Sequence, residues 1–276
     1  MVQVHTLRDL ESGNAGNPSA APFPSLTAAG RGQRPRCIEL LFPGFKPKTF
    51  IFIISMVQIA IYVLCTVQYY GGMDWLPFGI SSKGSSYGPA IVSGQVWRLI
   101  TPIFLHAGFV HILFNMFFQM RMGFPLEEEY GTRIFAGMYL LCGLAGNLFS
   151  VALAPCKYAV GASTAGFGLI GIQMAQIALH WHLLQRKEEV TFNILFFFMM
   201  ALMMSIGPDS VVDWRGHAGG FITGFCLGLI MTTTNSRPDW YEPFTRPVSL
   251  AVIGSVVLGS VVAIFSIPLA SRGCGI

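Results

Sequence analysis

The chain has 276 residues, of which 53% are hydrophobic and 11% charged, with a formal net charge of +4. That balance excludes an ordinary soluble domain, where about a quarter of residues are charged. No dense basic patch interleaved with aromatics is present, which excludes a nucleic-acid surface; the composition is that of an integral membrane protein.

Residues 1–48 are rich in Ser, Gly, Pro, Asn and Arg and read as a disordered cytosolic tail. Neither cleavable signal fits, because no apolar h-region lies near the terminus and Asp9 and Glu11 come early for a transit peptide. Seven apolar runs follow, each approaching or exceeding the length needed to cross a hydrocarbon core of about 30 Å. The first is Thr49 to Tyr69. The second, Phe109 to Met122, is extended at its start by Leu99 to Leu105. Ile134 to Ala154, Ser163 to Leu179, Val190 to Ile206 and His217 to Thr233 are the third to sixth, and Leu250 to Leu269 is the seventh. The predicted fold is an all-α, polytopic helical membrane protein. Its domains are the tail, a six-span core over 49–233, a cytosolic linker over 234–249, and a seventh transmembrane helix with a short external C terminus over 250–276.

With the tail in the cytosol and the spans alternating, twelve basic residues fall on the cytosolic side: Arg8, Arg31, Arg34, Arg36, Lys46, Lys48, Arg121, Arg133, Arg186, Lys187, Arg237 and Arg246. Five, Lys83, Arg98, Lys157, Arg215 and Arg272, fall opposite. The asymmetry predicts a cytosolic N terminus and a lumenal or extracellular C terminus.

This topology brings two polar side chains to the same side of the membrane. Ser163 opens the fourth span inside Gly161-Ala-Ser-Thr-Ala-Gly-Phe-Gly, and His217 opens the sixth. Polar groups at membrane depth are costly unless they have partners or line a wet cavity, so a hydroxyl and an imidazole there suggest nucleophile and base. Gly161, Gly166, Gly168 and Gly171 line the first segment, and Gly220, Gly224 and Gly228 recur every fourth residue in the second. For most of these glycines packing alone is the ordinary reading, and such faces let helices approach closely. In the second span His111 and Asn115 lie four apart on one face. Taken alone they read as an interhelical polar clamp; beside a serine nucleophile, both are donors suited to an oxyanion hole, completed by the Ser163 N–H.

Together these residues resemble the rhomboid family of intramembrane serine proteases. The shared motifs, in the family's order, are Trp97-Arg98, His111 to Asn115, Leu126-Glu127 with Gly131, Gly161-Ala-Ser163, and His217-Ala-Gly-Gly. The resemblance covers roughly residues 49 to 233 and implies a six-helix rhomboid-like bundle, with the seventh span matching the extra C-terminal helix of secretory-pathway members. The overall look is reminiscent of apicomplexan parasite rhomboids. It implies a Ser163/His217 dyad, no cofactor and no metal, and substrates that are single-span membrane proteins cut near the outer end of a span weakened by Gly or Pro. Surface adhesins are the natural candidates. Membrane lipids are the other partner, and the plasma membrane or a secretory organelle the expected location.

Two positions depart from the family pattern. Thr164 stands where many rhomboids have Gly, and is expected to bear on the substrate groove or the oxyanion loop. Phe167 stands where Tyr is common, and keeps an aromatic face for the imidazole. Trp97-Arg98 reads as a structural pair at the bilayer edge and not as catalytic. Asp213, four residues before His217, reads as a solvated loop residue more readily than as a third catalytic member.

Other chemistries fit less well. No His-Glu-x-x-His spacing is present for zinc, and no pair of intramembrane aspartates exists. His106 reads as an external-loop residue near the cavity, and His180 and His182 as cytosolic interfacial anchors. Of six cysteines, only Cys156 and Cys274 fall on the oxidising side, where one disulfide is permitted but not required. An inactive rhomboid-like protein that binds membrane clients would be expected to lack the serine or histidine, and a transporter would show repeated halves or broken helices.

Overall fold

The structure is a computed structural model, and it describes residues 37–69, 83–180, 213–232, 241–272 and 274. The expected fifth span, Val190 to Ile206, lies outside the described residues, as do His182 and most of the N-terminal tail. Six long helices are described: α1 (Phe50–Tyr69), α2 (Phe109–Tyr130), α3 (Thr132–Leu153), α4 (Ser163–His180), α5 (Trp214–Met231) and α6 (Tyr241–Ser266). Among the described residues there is no strand, only an isolated antiparallel bridge between Ser86 and Ala159. The chain is all-α and polytopic.

Segments of α1, α3 and α6 (Phe50–Val67, Thr132–Leu153 and Pro243–Ser266) are long and apolar enough to cross a membrane on those grounds alone. Their outer faces are apolar as well: Val63, Leu64 and Val67 of α1 and Leu258 and Val262 of α6 are all at least half exposed. A soluble fold would hide such stripes; hydrocarbon accepts them. The other three long helices carry the polar and small residues that the bundle turns inward.

The second span differs from its expected form. Leu99 to Leu105 does not extend the helix but forms parts of two 3-10 turns, Val96–Leu99 and Thr101–Phe104, and the chain is extended at Gly108 before α2 begins. Pro102, near the start of the second turn, has no N–H to continue an α-helical ladder. At the far end α2 runs beyond Met122 to Tyr130, through Pro125, because Phe124, Leu126 and Glu127 are all buried there.

Glu127 ties that extension to α1. Its carboxylate accepts the backbone N–H of Phe50 at 2.7 Å and of Ile51 at 2.9 Å, and the Thr132 hydroxyl at 2.8 Å. The first N–H groups of a helix have no intrahelical partner, and a carboxylate satisfies them while facing the positive end of the helix dipole. Gly131, at φ +76°, makes the sharp turn from α2 into α3.

A wholly buried amide network joins α1, α2 and α3. The Gln119 side-chain amide donates to Ser55 Oγ at 2.7 Å and Gln58 Oε1 at 2.6 Å, and Tyr139 donates to Gln119 Oε1 at 2.8 Å. The Gln58 amide donates to the Ile103 carbonyl at 3.0 Å, anchoring the 3-10 turns that precede α2. Every member has a partner, so burial carries no desolvation penalty left unpaired.

The centre of the bundle is α4 against α5, with α3 behind both. Two close approaches explain the glycine periodicity of α5. A β-carbon on Gly220 would fall on the Thr164 carbonyl oxygen, and one on Gly224 on the Gly168 carbonyl oxygen. Any larger residue would drive the helices apart.

α6 packs on α3 and α5, burying Val256 and Ile264. Beyond its end Cys274 is joined by a disulfide to Cys156 in the loop between α3 and α4, with Cα atoms 5.4 Å apart. The bridge that the sequence only permitted is formed.

Candidate active site

Ser163 is the first residue of α4 and His217 lies in the first turn of α5, so both stand at the same end of the bundle. His217 Nε2 lies 2.7 Å from Ser163 Oγ. The imidazole is buried, and Phe167, one turn into α4, lies flat against it with ring centroids 4.1 Å apart. Phe167 thus supplies the aromatic face expected of that position. A serine at a helix start also has backbone N–H groups around it that lack intrahelical acceptors, a ready environment for negative charge.

The loop before Ser163 is fixed from several directions. Gly161 has φ +130°, a region that favours glycine, and its N–H donates to the Pro102 carbonyl at 2.9 Å. A β-carbon there would stand 2.9 Å from His111 Nε2 and 3.5 Å from Ser163 Oγ. The absent methyl therefore leaves a small space bounded by both side chains. Ala159 pairs with Ser86 through two backbone hydrogen bonds, and Tyr158 stacks on Tyr87 at 4.2 Å.

His111 and Asn115 sit on the face of α2 nearest this loop. His111 Nδ1 accepts the Ala107 N–H at 3.3 Å, so in the neutral ring the proton is on Nε2, the nitrogen beside Gly161. Asn115 is buried one turn deeper, and its amide donates to the His111 carbonyl at 2.8 Å. Ser163, His217 and His111 are thus brought together, whereas the Asn115 amide is held by its own helix.

His106 is more deeply placed than the sequence reading allowed. It is 3% exposed, its ring meets that of His111 edge-on at 5.3 Å, and its Nε2 accepts the Ala162 N–H at 3.5 Å. The residue precedes α2, and burial, followed by the neighbouring His111, holds its imidazole well below the ordinary range, in the neutral form that can accept. Its proximity to His111 in sequence was visible; its bond to the residue before Ser163 was not, because that bond crosses 56 positions.

Two expectations are corrected. Thr164 does not face the groove: it is buried behind the site, with its Cβ 2.8 Å from where a β-carbon of Gly146 would stand and its Cγ2 2.9 Å from that of Gly216. Small residues on α3 and α5 make the pit it fills. Asp213 is not a freely solvated loop residue, since its Oδ2 is buried. Nor does its carboxylate bond the His217 ring; the contact between the two residues is the backbone bond from the His217 N–H to the Asp213 carbonyl, 3.1 Å.

Arg98 is structural, as expected. It is buried, donating from Nη1 to the Ser85 carbonyl at 2.9 Å and from Nε to Gln95 Oε1 at 2.7 Å, while Trp97 is half exposed. His180 is buried, with Nδ1 3.0 Å from the Gln176 carbonyl, and is no surface anchor. No cluster of three metal-ligating side chains occurs among the described residues.

Comparison with known proteins places the chain among its relatives. A family model described as the Rhomboid domain matches residues 93–234. Rhomboid-like protease 1 of Toxoplasma gondii is 38% identical over 270 residues, covering 92% of each chain. Rhomboid-like protease 2 of the same organism is 34% identical over 263 residues, covering 94% of this chain and 91% of that one. RHOMBOID-like protein 6, mitochondrial, of Arabidopsis thaliana is 33% identical over 178 residues, covering 64% of this chain and 53% of its own.

Proposed function

The chain belongs to the rhomboid family, and from that premise we propose that it is an intramembrane serine endopeptidase with Ser163 as nucleophile and His217 as general base. One observation carries the reading: two side chains 54 positions apart meet at 2.7 Å, the separation at which an imidazole takes a hydroxyl proton.

In this mechanism His217 Nε2 accepts the Ser163 proton as Oγ attacks the scissile carbonyl. The developing oxyanion is met by the His111 Nε2–H and the Ser163 backbone N–H, and by the Asn115 N–H that the His111 carbonyl leaves free, once the amide is turned toward it. His217 then gives its proton to the leaving amine. Water attacks the remaining ester, His217 takes the water's proton and returns it to Ser163, and the acid is released. No cofactor or metal has a role.

The substrate class is single-span membrane proteins, cut near the outer end of a span whose helix unwinds readily at Gly or Pro, with surface adhesins as candidates. The protein sits in the plasma membrane or a secretory organelle, with a cytosolic N terminus and the site end of the bundle outward. The Cys156–Cys274 disulfide, at the same end as Ser163, supports that orientation because such bonds persist on the oxidising side.

Co-expression with a single-span reporter carrying a Gly-rich span tests the reading. Ser163→Ala and His217→Ala are expected to abolish the shed fragment at unchanged expression; continued cleavage by Ser163→Ala overturns it.

A further inference from the structure

Two buried polar atoms behind the site have no hydrogen-bond partner among the described residues: Thr164 Oγ1 and Asp213 Oδ2. Leaving a buried polar atom unpaired is costly, so such a pair in one place calls for an explanation. They are in one place. A β-carbon on Gly216 would stand 2.6 Å from Asp213 Oδ2 and 2.9 Å from Thr164 Cγ2, so the carboxylate and the threonine methyl both crowd the same spot over Gly216. Gly216 has no side chain to separate them.

Their positions in the chain are equally pointed. Thr164 follows Ser163 on α4, and Asp213 is the N-cap residue of α5, one turn before His217. Asp213 does not cap its own helix with its side chain. Arg215, the charged neighbour on α5, lies over the Trp214 ring at 4.8 Å.

We propose that Thr164 and Asp213 form a hydrogen-bonded latch across Gly216 that sets the spacing of Ser163 and His217. Threonine side chains interchange between staggered wells, and a turn of about 120° about χ1 brings Oγ1 to where Cγ2 stands, facing the carboxylate. The hydroxyl then donates to Oδ2, and both unpaired atoms are satisfied by one bond. The latch joins the starts of α4 and α5 where Thr164 lies against Gly146 of α3. Thr164 and Asp213 are positioning residues: they touch neither substrate nor reacting atoms, and act through the placement of their neighbours. A glycine at 164 would offer no hydroxyl to the aspartate at 213.

The effect on rate rests on the protease reading above; the bond itself does not. The full chain in detergent, with Thr164→Val, Thr164→Ser, Asp213→Asn and the Thr164→Val/Asp213→Asn double variant, is examined by fluorophosphonate labelling of Ser163, by reporter kcat and KM, and by thermal unfolding. Thr164→Val and Asp213→Asn are each expected to slow labelling and kcat about fivefold with KM unchanged, the double variant no more than either single one, and Thr164→Ser to stay near wild type. Additive losses in the double variant, or a Thr164→Ser as slow as Thr164→Val, overturn the latch. A wild type that never labels defeats the protease reading instead; the unfolding midpoints then decide the latch, non-additive shifts supporting it and additive shifts overturning it.

Discussion

The Phe167 ring lies on the His217 ring with planes 9° apart and centroids at 4.1 Å. The contact is between rings alone, so a phenolic oxygen at this position would add nothing to it. Stacked aromatic pairs are worth about 0.5–1.5 kcal/mol beyond area burial. Phe167→Leu is therefore expected to lower the initial rate of reporter cleavage about three- to tenfold, and Phe167→Tyr to stay within about twofold.

His111 presents an Nε2–H beside Gly161, whereas one of the two N–H groups of the Asn115 amide is taken up by a carbonyl of its own helix and only the other is left to donate. Removing one oxyanion donor costs about 10²–10³ in kcat. His111→Phe is expected to show that loss with little change in KM. Asn115→Ala is expected to fall by more than about tenfold if its amide turns during reaction; a loss under threefold in steady-state kinetics would show that Asn115 serves its own helix throughout.

Gly224 and Gly254 make a matched pair for testing helix contact. A β-carbon on Gly224 meets the Gly168 carbonyl, while one on Gly254 meets nothing within 4 Å. Gly224→Ala is expected to lower stability by about 1–3 kcal/mol, from overpacking. Gly254→Ala should leave the thermal unfolding midpoint in detergent unchanged or slightly raised.

Glu127 is the only side chain that caps the start of α1 through two N–H groups among the described residues. Glu127→Ala is expected to cost about 1.5–3 kcal/mol per charged bond lost, reduced by whatever water enters. Hydrogen exchange should rise first at Phe50 and Ile51, ahead of any change at Ser163.

The disulfide gives a fifth test. Cys274→Ser is expected to destabilise the chain by about 2–4 kcal/mol. Reductant should lower the unfolding midpoint of the wild type to that of the variant and leave the variant unmoved.

The long apolar helices were legible in the sequence because lipid imposes length and apolarity on each segment independently. Ser163, His217 and the α2 face were legible for a related reason: polar residues in apolar runs stand out, and five motifs in order leave few alternatives. What was not legible depends on pairs. Leu99 to Leu105 looked like helix because its apolar composition is continuous, and only the place of Pro102 and the Gln58 bond to Ile103 turn it into 3-10 structure. Thr164 was read toward the substrate groove or the oxyanion loop because sequence cannot say which side of α4 meets glycines on two other helices. Asp213 looked solvated because short external loops usually are. Gln58, Gln119 and Tyr139 drew no notice, since a lone amide in an apolar run shows nothing of the partner that makes it affordable.

The Cys156–Cys274 bond closes residues 156 to 274 into a covalent ring, and both Ser163 and His217 are inside it. A single backbone cut between Ser163 and His217 would linearise the ring without separating the piece that carries Ser163 from the piece that carries His217. Such a nicked chain migrates whole on a non-reducing gel and as two pieces on a reducing one. The bridge makes the reacting pair covalently tolerant of one break in the backbone between them.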